Sequence, residues 1–207
     1  MGIVLKDLRK LWGKPFNQNK IDLDNPIGRI STDTRTIKKG DFFVPLVGDK
    51  FDGHNFLNIA LDIGVQAAIV SEKFDGLIPM GLPYWLVSDT LNAYQQIALL
   101  HRRDLNLPVV AVTGSVGKTT TRELIRSLLS SIGEIVSSRE NENNDVGVPK
   151  TLLRGTTKDG AFVLEMGMRG LGQIERLSHC SEPDIAVITN VGQAHIGLLG
   201  SRENIAK

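Results

Sequence analysis

The sequence predicts an α/β chain in two parts: a small α/β domain over residues 1–88, then a parallel-sheet domain over 109–207 built around a phosphate loop. A connecting helix and linker over 89–108 join them. Three observations carry this reading. Short strands and helices alternate from Asp41 to Val87, the rhythm of βαβ units. Purer apolar strands follow at Val109 to Thr113, Ala161 to Met166 and Asp184 to Asn190, as in a parallel sheet covered on both faces. Between the first two lies a glycine loop that runs into a helix.

Each element has a local reason. Asp41 to Val47 (DFFVPLV) is an apolar, β-favouring run closed by Gly48-Asp49. Phe56 to Ile63 carries apolar residues at helical spacing, with Gly64 placed as a C-cap. Ala67 to Val70 is a short buried strand; Pro79, Gly81 and Pro83 mark a loop, and Tyr84 to Val87 forms another strand. Asp89 can cap a helix running to Arg103, whose Leu91, Tyr94, Ile97, Ala98, Leu100 and His101 trace much of one face. Pro108 resets the chain.

The second part opens on VVAVTGSVGKTTT, Val109 to Thr121. A buried strand enters Thr113-Gly114-Ser115-Val116-Gly117-Lys118-Thr119-Thr120. Leu124, Ile125, Leu128, Leu129 and Ile132 give the following helix a shared apolar face, and Gly133 ends it. Strand, glycine loop and helix N-terminus are what a phosphate site needs: backbone amides close around the anion, and the helix end supplies unpaired N–H groups. Lys118 would meet the β/γ-phosphates, and the Thr119 hydroxyl would reach Mg²⁺. The common form G-x-x-x-x-G-K-[ST] would need glycine at Val112, so this loop is a narrower variant.

Composition excludes some classes. Hydrophobic residues make up 41% and charged residues 23%, as in ordinary globular chains, and a net charge of +1 sets up no field for nucleic acid or an anionic membrane. No apolar run has signal-peptide or membrane-spanning length. The single cysteine, Cys180, cannot form an internal disulfide, which fits a reducing cytoplasm, and reads as a small buried helix residue. His101 and His179 fall on helices and read as structural; His54 reads equally as ligand contact or turn residue.

Several further segments agree, in order, with one family. TGSVGKTTT resembles the ATP loop of the Mur ligases. Glu140 to Leu153 (ENENNDVGVPKTLL) resembles their Asn-Asn-Glu-x-Gly-Val-Pro stretch, with Asp145 in place of glutamate. Leu164 to Gly167 (LEMG) and Thr189 to Ser201 (TNVGQAHIGLLGS) are similar to the segments that carry a metal-binding glutamate and histidine. Ser31 to Gly53 resembles the family's nucleotide-sugar-binding domain.

The resemblance implies a UDP-sugar-binding domain followed by an incomplete ATP-binding domain. It also implies a monomeric cytoplasmic ligase of peptidoglycan synthesis, without nucleic-acid partners or membrane insertion. The segments are most similar to the member that uses ATP and Mg²⁺ to join D-alanyl-D-alanine to UDP-N-acetylmuramoyl-tripeptide. Catalytic roles then fall to Lys118, Glu165 and His195, and metal ligation to Thr119, Glu165 and His195. The nucleotide falls to Gly114, Ser115, Val116, Gly117, Lys118, Thr119 and Thr120. Ser31, Thr32, Asp33 and Arg35 would hold the UDP-sugar, Arg35 by bidentate phosphate contact; a turn capped by Asp33 is the plainer reading. Asn143 and Asn144, and Asn190 with them, are candidates for substrate or nucleotide contacts.

The family's carbamoylated lysine would lie fourteen residues beyond His195, past Lys207; Lys207 matches a lysine two residues earlier and is not assigned that role. The end of the ATP domain and the C-terminal domain are likewise outside the sequence, so the expectation is a chain that binds but does not ligate. The competing readings are a sister ligase adding another amino acid, a glutamate-to-folate ligase of the same superfamily, and a non-catalytic nucleotide-binding module. Intact Lys118, Thr119, Glu165 and His195 weigh against the last, and Ser31 to Gly53 against the folate enzyme.

Overall fold

Four short parallel strands organise the first half of the chain in the computed structural model, which describes residues 2–193 and 196–206. Contacts divide the chain into units Met1–Ile97 and Ala98–Lys207.

In the first unit, α1 (Leu5–Trp12) buries Leu5 and Leu8, one helical step apart on the same side. Trp12 meets Trp85 edge-on at 6.4 Å, and the Trp85 indole N–H donates to the Gly13 carbonyl (3.0 Å). Then come β1 (Ile30–Ser31), β2 (Phe42–Phe43), a hairpin of β3 (Val47–Gly48) and β4 (Phe51–Asp52), α2 (Leu57–Ile63), β5 (Ala67–Ser71) and β6 (Tyr84–Val87). The sheet order is β1-β2-β5-β6. One face packs Phe43, Ala68 and Val70 against Leu57 and Ala60 of α2. Gly64 closes α2 in the left-handed conformation, as its position predicts.

The Asp41 to Val47 run is not one strand. The ladder continues only as far as the Val44 N–H, which donates to the Ser31 carbonyl (2.9 Å). Pro45 has no N–H to extend it, and Val47 joins the separate hairpin.

The helix α3 (Thr90–Leu105) starts where Asp89 accepts the Asn92 N–H (2.8 Å), the cap the sequence predicts. The second unit continues with β7 (Val109–Thr113), α4 (Lys118–Leu129), β8 (Glu134–Ser137), α5 (Gly147–Leu152), β9 (Asp159–Glu165), α6 (Gln173–Ser181), β10 (Ile185–Ile188), α7 (Ile196–Leu199) and α8 (Arg202–Ala206). Its sheet is wholly parallel in the order β10-β7-β9-β8. Val109, Ala111, Phe162 and Leu164 form a core with Val148 and Leu152 of α5 and Leu177 and Cys180 of α6. Burial pushes the Cys180 thiol up to about 12, so it behaves as a small apolar residue.

Two expectations of burial fail here. Leu124 and Leu128 are exposed, because α4 faces the sheet along the stripe of Lys118, Arg122, Ile125 and Leu129, and these two leucines stand to one side of it. Ile185 and Ile188 are more than half exposed, because β10 is an edge strand paired only with β7 among the described residues.

Candidate functional site

The turn between β7 and α4 shapes the loop for an anion. Gly114 sits at φ +135°, and a Cβ there would lie 2.1 Å from the Thr189 Oγ1 and 3.1 Å from the Asn190 backbone, so no side chain fits. The segment leaving β10 grips the loop from that side. The Ser115 N–H donates to the Asn190 carbonyl (3.2 Å), and the Gly192 N–H donates to the Ser115 Oγ (2.9 Å). The Thr189 hydroxyl donates to the Val116 carbonyl (2.6 Å), and the Asn190 amide bonds both backbone groups of Val116 (3.3 Å each). Asn190 therefore braces the loop through its side chain, and it also lines the cleft that opens beside the loop.

Gly117 precedes α4 without capping it through a side chain, so no side chain closes off the helix end. The Lys118 ammonium folds back to donate to the Gly114 carbonyl (2.6 Å), which holds its charge over the loop. Gly114, Ser115, Val116, Gly117, Lys118, Thr119 and Thr120 run without a break from the loop into the first turn of α4; Gly114, Ser115 and Lys118 line a cleft, and the other four are exposed.

Glu165 ends β9, the strand beside β7, so the sheet delivers its carboxylate to the same side. The side chain is buried and accepts three donors. Thr119 Oγ1 donates to Oε2 (2.9 Å), Arg122 Nη1 approaches the same oxygen (3.3 Å), and Asn143 Nδ2 donates to Oε1 (3.0 Å). The Glu165 N–H donates to the buried Ser138 Oγ (3.0 Å), which fixes the end of the strand. Adjacent ligands of an octahedral Mg²⁺ with bonds of 2.0–2.1 Å lie about 3.0 Å apart. The 2.9 Å between the Thr119 and Glu165 oxygens matches that edge, and hydroxyl with carboxylate is a hard donor set. The residues present therefore fit the cation. No group of three or more His, Cys, Asp or Glu is gathered among the described residues, so phosphate and water would complete the shell. His195 lies outside the described residues.

A cleft of about 760 Å³ opens beside this arrangement. Thr113, Gly114, Ser115 and Lys118 line it from the loop, and Asn143 to Val146 from the stretch before α5. Asn143 thus joins the cleft to Glu165. Asn144 closes the turn that leads into α5: its Oδ1 accepts the N–H groups of Val146 and Gly147 (3.1 and 2.9 Å). Glu142, which the sequence reading missed, anchors the whole stretch. Burial raises its carboxyl, but the Arg154 guanidinium, the Arg139 N–H and the Lys150 ammonium more than offset this and hold it down to about 2. Arg122 was missed too, since a charged residue inside an otherwise amphipathic helix gives no signal in the sequence.

Residues 112–207 match the Mur ligase middle domain, the region that holds the loop, Glu165 and the cleft. The chain belongs to the Mur ligase family. It is 48% identical, over 89% of its length, to a UDP-N-acetylmuramoyl-tripeptide–D-alanyl-D-alanine ligase of Synechocystis. A crystal structure of MurF from Acinetobacter baumannii superposes over 100% of the chain and 45% of its own, with TM-score 0.87 and 36% identity. MurF from Thermotoga maritima, solved with ADP, covers 86% of the chain and 41% of its own, with TM-score 0.76 and 33% identity. The chain spans about 40% of the length of the curated relatives it matches. The fold class and the family resemblance read from the sequence are both borne out.

In the first unit of this Mur ligase chain, Ser31, Thr32, Asp33 and Arg35 lie together at the end of β1. Asp33 accepts the Arg35 backbone N–H (2.9 Å) and its guanidinium (2.6 Å to Nη2), and this pairing holds its carboxyl down to about 2. The Ser31 Oγ donates to the Asp33 carbonyl (3.2 Å). The turn is thus capped from within, while the Arg35 side chain stays exposed. His54, left open by the sequence, is a structural residue. Its Nε2 accepts the Ser71 N–H (2.9 Å), so Nδ1 carries the proton donated to Asp52 (2.6 Å), and the ring stacks on Phe74.

Proposed function

We propose that this Mur ligase chain supplies the UDP-sugar-binding and ATP-binding parts of an enzyme of peptidoglycan precursor synthesis in the cytoplasm, one that joins D-alanyl-D-alanine to UDP-N-acetylmuramoyl-tripeptide. The observation that carries this is the Lys118 ammonium over a glycine loop that lines the cleft, with the Thr119–Glu165 oxygen pair beside it and joined to it through Asn143. The names of the relatives support the substrate, and the ADP in the Thermotoga neighbour supports the nucleotide.

The reaction this reading requires forms an acyl phosphate. A tripeptide carboxylate oxygen attacks the γ-phosphorus of ATP, and ADP leaves. The amine of D-alanyl-D-alanine then attacks the acyl carbon and expels phosphate. A carboxylate repels nucleophiles and has no good leaving group; phosphorylation removes both obstacles. Lys118 and the amides of the loop and first helical turn stabilise charge on the phosphates, and Asn143 holds Glu165 in place. Mg²⁺, held by Thr119, Glu165 and, in this reading, His195, would neutralise the transferring group. Arg35 is assigned to the diphosphate of the UDP-sugar, within the turn that Ser31, Thr32 and Asp33 build.

Calorimetric titration with UDP-N-acetylmuramoyl-tripeptide tests the substrate assignment. Micromolar binding that weakens about tenfold or more in Arg35→Ala is the expected result, the size of a lost charge-assisted contact. A folded chain that ignores the tripeptide and binds a folate would replace this reading with that of a folate-directed ligase.

A further inference from the structure

Arg122 is a buried cation beside Glu165 that the chemistry above does not use. Its guanidinium is held unequally. Nη2 donates to Glu123 Oε1 at 2.7 Å, whereas Nη1 reaches Glu165 Oε2 at 3.3 Å. Charge-assisted N–H···O bonds normally measure 2.7–2.9 Å, so the firm partner is Glu123 and the loose one Glu165. Glu123 is half-exposed and is also bound by Arg126 (2.9 Å), so it is itself fixed in place. The Glu165 oxygen that Arg122 touches is the one that accepts the Thr119 hydroxyl, at the edge that matches a hydrated divalent cation.

We propose that Arg122 is an internal counter-ion for Glu165: it neutralises the carboxylate in the metal-free site, yields it to the divalent cation while staying anchored on Glu123, and so sets the cation affinity. The inference rests on the reading of Glu165 as a cation ligand. A buried carboxylate without a counter-charge is strongly disfavoured, so the metal-free site requires a cation of its own. A guanidinium and a divalent ion a few ångströms apart repel, so the two compete for one oxygen. Spacing on α4 makes the exchange possible. Lys118, Thr119 and Arg122 fall within one turn on adjoining positions, so phosphate charge, metal ligand and counter-ion share one rigid element. Arg122 acts through Glu165 and is a positioning residue.

Manganese is the probe, its free ion counted by electron paramagnetic resonance as it is titrated into the 207-residue chain. Arg122→Met removes the competitor and should tighten Mn²⁺ binding, on the order of tenfold. Glu123→Gln removes the anchor, drops the guanidinium more fully onto Glu165 and should weaken binding. A purely structural role would not move the two variants in opposite directions. In chelator, Arg122→Met should also melt below wild type and recover more on adding Mn²⁺; pairing it with Glu165→Gln should restore the chelator melting temperature. If Glu165→Gln abolishes Mn²⁺ binding but Arg122→Met binds no tighter than wild type, the counter-ion inference is wrong while the metal site stands. If wild type binds no Mn²⁺, or binds it independently of Glu165, the metal reading fails and takes this inference with it.

Discussion

Glu142 and Glu165 are two buried carboxylates separated by function. Glu165 points its charge at the phosphate loop, whereas Glu142 is surrounded by Arg154, Lys150, the Arg139 N–H and the Thr151 hydroxyl. Because the Glu142 carboxyl is held at about 2 in the folded chain, below its ordinary value, it stabilises the fold fully above pH ~4.3. That stabilisation is lost as the pH falls toward 2. Denaturant unfolding of Glu142→Gln should therefore show a loss of about 1–3 kcal/mol at pH 7 that shrinks between pH ~4.3 and 2. A loss that persists undiminished at pH 2 would contradict the ion-pair account. At this scale the sequence disclosed the residues that belong to a motif, Lys118, Thr119 and Glu165, and hid those defined only by their neighbours. Nothing local marks Glu142, Ser138 or Arg122 as site residues: Glu142 is set by Arg154, and Ser138 and Arg122 by Glu165, which the packing of β9 against α4 brings to them.

The element that matters most is the turn from β7 into α4. The strand, the loop and the helix start were legible because alternation, glycine and helical spacing are properties of contiguous residues. The grip of Thr189 and Asn190 on the loop was not legible, since β10 reaches it through sheet pairing with β7. The facing of α4 was misread for a related reason: its apolar residues span a wider arc than the sheet covers, and only packing decides that Leu124 and Leu128 face out. Gly114→Ala tests the turn as an element. A methyl group at φ +135°, overlapping the Thr189 side chain, must displace the loop. Nucleotide affinity should fall at least tenfold while the melting temperature drops only by a few degrees, the cost of a strained loop residue. Unchanged affinity would mean that the loop's shape is not what binds.

At the scale of the molecule, each unit carries its own parallel sheet and core, and each holds one of the two candidate sites: the Arg35 turn in Met1–Ile97, the phosphate loop in Ala98–Lys207. The sequence reading places the change from short strands to near-continuous apolar ones across a linker at 89–108; the contact division falls within that stretch, inside α3. The most direct test is calorimetric titration of Mg·ATP into the chain and into Lys118→Ala, each confirmed folded by its melting curve. The account predicts saturable binding to the native chain and a loss on the order of a hundredfold in the variant, the expected scale for removing a half-buried, charge-assisted partner from a phosphate site. Equal binding by the two would show that the loop of β7 and α4 is not the nucleotide site.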